Sequence, residues 1–157
     1  MSGFLNLFKW PIVPWDGKSP IHDPRPGIFP LAVKASRRLH LWSTKDIIPD
    51  SGVRLLIGVA TWSRYDMVLL DIIDDAEFGP ACIDVIDIDQ IQSIDDLHRF
   101  FPHASPIMQS PIVGLWSDGH FVECADGHFG REIVARECGI DKAHIEERMM
   151  AIFNQRK

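Results

Sequence analysis

An apolar run broken once by polar residues, LLIGVATWSRYDMVLLDIIDD at positions 55–75, restricts what this chain can become more than any other segment. Its first part, 55–60, lacks the polar alternation of a half-exposed strand, which is the pattern of a strand covered on both faces. Its second part, 67–73, is too apolar for a surface helix. The segment therefore predicts a central strand feeding directly into a core helix. The junction Trp62-Ser63-Arg64-Tyr65-Asp66 falls outside the carboxyl end of that strand, where α/β proteins place their binding and chemistry.

The chain has 157 residues, 46% of them hydrophobic and 24% charged, enough for one domain with a real core. No run of about 18 apolar residues occurs, and the start MSGFLNLFKW is broken early by Pro11, so neither a membrane span nor a signal peptide is expected. The expectation is a soluble, cytoplasmic protein. Cys82, Cys124 and Cys138 are an odd, widely spaced set, which favours reduced thiols over a disulfide framework. A net charge of −6 argues against a general nucleic-acid binder, which needs a basic face. Between Arg64 and Arg99 there is no Lys or Arg but ten Asp and Glu, which predicts one acidic region.

Residues 1–33 hold six of the eleven prolines and read as an extended arm. The arm carries Phe4, Phe8, Trp10 and Trp15, too apolar for a solvated tail. These four are candidates for docking on the chain's own domain or on a partner, a homodimer through the arm included. Residues 34–157 form the predicted domain. RRLHLWS at 37–43 suits a strand, and Ser43 with Asp46 is a capping-box pattern opening a short helix. ACIDVIDI at 81–88 is a further strand. Ser93 with Asp96 opens a helix that Pro102 stops, PIVGLW at 111–116 is a strand, and Asp118-Gly119 turns it into an antiparallel hairpin. A helix at 131–138 capped by Gly139 follows, then a last helix over about 141–155 with Ile145, Met149 and Ile152 on one face. From the central strand onward the order is β-α-β-α-β-β-α, with an added terminal helix.

That order resembles the thioredoxin fold over roughly residues 37–139. Three features carry the resemblance: the apolar strand ending in Ala60-Thr61-Trp62 before a helix, the strand IDVIDIDQ, and Ser110-Pro111 opening the strand that closes at Asp118-Gly119. It implies an α/β three-layer sandwich, a central mixed sheet with helices on both faces. It also implies a cis-proline at Pro111 facing the helix N-terminus. Redox-active members carry Cys-x-x-Cys after the tryptophan, where the helix dipole lowers a thiol pKa. Here those positions are Ser63 and Asp66, and the position matching the family's buried acid is Ile57.

Ser63 and Asp66 read as a reciprocal capping box, with Ser63 accepting from an amide one turn in and Asp66 reaching back to the Ser63 amide. A nucleophilic Ser63 would need a base that the neighbouring sequence does not supply. His120, Cys124 and His128 could approach one another as a zinc set, with 120 and 124 on one strand face, but the spacing is not a finger pattern. No metal, cofactor or catalytic group is expected. The resemblance implies a redox-inactive module, an adaptor, assembly factor or holdase, whose groove of Trp62, Ser63, Arg64, Tyr65, Asp66, Ser110 and Pro111 binds a protein or peptide. The alternative is a thiol-dependent enzyme of the same group, using a lone cysteine or a bound thiol such as glutathione.

Overall fold

A computed structural model describes residue 29 and residues 33–34, 36–76, 79, 83–105 and 109–155, the side chains of 153 and 155 excepted. Cys82 and the arm residues Phe4, Phe8, Trp10 and Trp15 lie outside the described residues. The elements are β1 (Leu39–Trp42), β2 (Val53–Val59), α1 (Arg64–Asp75), β3 (Ile83–Asp87) with a 3-10 turn at Ile88–Gln90, α2 (Ile94–Phe100), β4 (Ile112–Ser117), β5 (His120–Asp126), α3 (Gly127–Cys138) and α4 (Lys142–Gln155). The five strands form one mixed sheet in the order β1-β3-β2-β4-β5. The first three are parallel, and β4 and β5 run antiparallel to their neighbours.

The apolar 55–60 run is explained by two cores. Leu55, Ile57 and Val59 enter a cluster with α1, α3 and α4 on one side of the sheet. Leu56 enters the other cluster, where Leu97 and Phe100 of α2 and Phe101 pack. Each such buried side chain contributes roughly 1.5–3 kcal/mol, so β2, which feeds both clusters, anchors the fold. Gly58 is set by crowding. A Cβ there would lie 2.9 Å from Ile88 Cγ2 and 3.2 Å from the Phe101 ring. Phe29 and Val33 are buried in the first cluster, so its packing reaches back into the segment before β1.

Local chemistry sets the ends of the elements. Ser63, Ser93 and Asp87 each cap the element that follows with a side-chain oxygen. α1 has no basic residue in its last turn. Arg38 supplies the missing cation from the other end of the chain order, donating from Nη1 to the carbonyls of Ile73 (3.2 Å) and Ala76 (2.5 Å). Asp118 and Gly119 both have positive φ, 50° and 79°, as a two-residue hairpin turn requires. Gly139 closes α3 in the left-handed conformation.

Three expectations were altered. Ser43 and Asp46 do bond, Ser43 N–H to Asp46 Oδ2 at 2.7 Å, but they close a turn and no helix follows. Arg99 takes the carbonyls of Thr44 and Asp46, which a helix would need for its own amides, and Pro49 ends the segment. The acidic stretch is not one face either. Asp66 and Asp84 are buried, Asp84 paired with Arg54 at 2.9 and 3.0 Å, and Asp71 lies 3.6 Å from Arg148. Finally, a bulge in β5 lets Glu123 pair with Leu115 but Phe121 with Trp116. The extra residue, Val122, reverses the alternation, so His120 and Cys124 do not share a face. Among the described residues no group of three His, Cys, Asp or Glu is placed to hold a metal, and no helix is long and apolar enough to cross a membrane.

Candidate functional site

The strand β2 ends at Val59, and the chain turns through 60–62 with Ser63 N–H donating to the Ala60 carbonyl at 2.9 Å. This tight turn starts α1 against the sheet instead of in solvent. Ser63 is its N-cap: Oγ accepts from Asp66 N–H at 3.4 Å, and the Ser63 carbonyl accepts from Met67 N–H at 3.1 Å. Half of the anticipated capping box is therefore present. The other half is not, because Asp66 Oδ2 accepts from the Ala60 amide at 2.8 Å, and the Ser63 amide is already engaged with Ala60. The carboxyl thus ties the end of β2 to the first turn of α1.

That carboxyl is enclosed. Burial pushes Asp66 up from 3.8 to about 7, against the opposing pulls of the Ala60 amide, the Ser110 hydroxyl and the more distant Arg131 guanidinium. Desolvation outweighs all three, so near neutral pH this group takes up and releases a proton inside the protein. Ser110 is also buried; its hydroxyl faces Asp66 but completes no hydrogen bond of ordinary geometry.

The Ser110–Pro111 peptide is cis. The pairing of Gly58 with Ile112 sets Pro111 beside the last residue of β2, so the head of β4 adjoins the turn that carries Trp62. This head is held from behind by α3. The Pro111 carbonyl accepts from Gly127 N–H at 2.9 Å, and Asp126 Oδ2 accepts from Gln109 N–H at 2.9 Å. Gly130 permits the close approach, since a Cβ there would lie 3.1 Å from the Pro111 carbonyl and 3.0 Å from that of Ala125.

Seven residues were expected to form the groove, and the structure divides them. Ser63, Arg64, Asp66, Ser110 and Pro111 are buried. Trp62 and Tyr65 are half-exposed, and they part company: Trp62 packs on the α2 side of the sheet, Tyr65 on the side of α1, α3 and α4. The partly exposed aromatic surface is therefore divided between the two sides of the sheet end, while the serine and carboxyl are enclosed.

The described thiols are suppressed. Burial, with the Asp126 charge second, pushes Cys124 up to about 12, and burial also raises Cys138 although Arg38 is nearby. Sequence reasoning missed a cleft of about 250 Å³ beside the head of β4, lined by residues of the α2–β4 connection and the end of β5, including His103, Ile112, Cys124 and Asp126. Its one sequence signal was Pro102-His103 just after α2, where His103 adopts a positive φ of 67°, uncommon outside glycine. A second depression, about 340 Å³, lies at the opposite end of α1 around Ala76, Ile140 and His144. Compared with family models, curated proteins and solved structures, the chain matches none.

Proposed function

We propose that this chain is a redox-inactive, thioredoxin-like domain that binds an extended polypeptide across the junction of Trp62, Tyr65 and the head of β4. The observation that carries the reading is the strand order β1-β3-β2-β4-β5 with the 60–66 turn at the carboxyl end of β2 and Pro111 beside it. The replacement of a dithiol by Ser63 and Asp66 supports the loss of redox function: both are buried and engaged with Ala60 and with each other. Binding does not need those thiols. Two partly exposed aromatics at the sheet end, beside a hydrogen-bonded turn, are suited to an extended chain whose side chains settle on apolar surface.

The thiol-dependent alternative is disfavoured by the two described cysteines. A nucleophilic thiol needs a lowered pKa, and Cys124 and Cys138 are both raised. The test uses a permanently unfolded client, reduced and carboxymethylated α-lactalbumin, labelled for fluorescence anisotropy. The wild-type chain is expected to bind it, and Trp62→Ala/Tyr65→Ala to bind it about tenfold or more weakly with an unchanged circular dichroism spectrum. Equal binding by both would remove the site from this junction.

A further inference from the structure

The cleft beside β4 differs from the junction in shape and charge. Its volume of about 250 Å³ is below the ~300–1,000 Å³ of small-molecule sites. That suits one long side chain better than a cofactor. Pro102, Ala104 and Ile112 provide apolar walls for a stem, and Asp126 sets the charge. Among the described lining residues there is no Lys or Arg. Asp126 makes no ion pair among the described residues, and its carboxylate accepts only the Gln109 amide. Its field is felt inside the cleft, since it adds to the upward shift of the Cys124 thiol.

The cleft adjoins the head of β4, as the junction does. Ile112 is both a wall of the cleft and the first residue of β4, one position beyond Pro111. Ala104 and Cys124 pack on the same apolar cluster as Trp62. His103, an exposed lining residue with a positive φ, rests edge-on against Phe121 at 6.0 Å. A carboxylate without a cation among the described residues, in a cleft that also offers apolar walls, is complementary to an aliphatic stem bearing a positive head.

We infer that this cleft receives a lysine or arginine side chain of the polypeptide lying across the junction, with Asp126 pairing the cationic head and Pro102, Ala104 and Ile112 enclosing the stem. This inference rests on the polypeptide-binding reading and adds to it a preference for basic segments.

The test uses two acetylated, amidated heptapeptides identical except for a central arginine or glutamate, titrated into the ¹⁵N-labelled full chain. The arginine peptide is expected to shift the amides of Ala104, Ile112, Cys124 and Asp126 and to bind about tenfold tighter than the glutamate peptide. Asp126→Asn keeps the acceptor for the Gln109 amide and is expected to bring the two peptides to within about twofold. If both peptides shift the Trp62 and Tyr65 amides equally, or Asp126→Asn leaves the discrimination intact, the inference fails and the binding reading stands. If neither peptide shifts either region, both fail.

Discussion

Replacing Asp66 by asparagine should stabilise the protein, and increasingly so as pH rises. Burial raises the folded-state carboxyl from its ordinary 3.8 to about 7. At about 1.4 kcal/mol per unit, ionising it in its buried position costs on the order of 4 kcal/mol. The direction follows from proton counting. Between the two values the folded state holds a proton that the unfolded state has released, so stability falls with rising pH across that window and levels off above about 7. Asparagine carries no charge, while its amide oxygen can still accept from the Ala60 N–H. Urea unfolding of both proteins at pH 5, 6, 7 and 8 isolates the effect, because every other titrating group is common to the pair. The advantage of Asp66→Asn should grow by about 1.4 kcal/mol per unit from pH 5 to 7 and then flatten. A constant difference would refute the reasoning. So would a wild type that gains on the variant with pH, because the Ala60 amide and the helix end would then outweigh desolvation.

Three further outcomes follow from the same geometry. Gly58→Ala should destabilise by roughly 1–3 kcal/mol in chemical denaturation, because its Cβ would lie 2.9 Å from Ile88 Cγ2; an unchanged midpoint would mean that the second core can yield. Arg38→Met should cost about 1–3 kcal/mol by removing the donors to Ile73 and Ala76, and amide exchange should rise first in the last turn of α1. Iodoacetamide at pH 7.5 should modify Cys124 and Cys138 far more slowly than free cysteine, read by intact mass and peptide mapping, because both thiols are raised; rapid labelling of either would revive the thiol-dependent alternative.

The legible parts of the fold were those where one strong local signal had no competitor. The run 55–73 announced a doubly covered strand and a core helix, Asp118-Gly119 a hairpin, Gly139 a helix end, and Ile145 with Ile152 an inward face. Where distant residues intervene, local reading failed. The Ser43–Asp46 box became a turn because Arg99, more than fifty positions away in sequence, takes its carbonyls. The bulge at Val122, which separates His120 from Cys124, is a property of strand register and left no mark in composition. At the junction the structure does bring the 62–66 turn beside the head of β4, but the burial of these residues was not legible. Asp66 is hydrophilic by type, and only the packing of α1 against the sheet end encloses it, turning a surface cap into a buried, proton-titrating tie to Ala60.

The most direct measurement for the central claim is hydrogen–deuterium exchange of the full chain, alone and saturated with reduced, carboxymethylated α-lactalbumin. Added protection is expected in peptides covering residues 61–66 and 110–113, with the last turn of α1 and all of α4 unchanged. Protection confined to α4, or none at any segment under binding conditions, would contradict it.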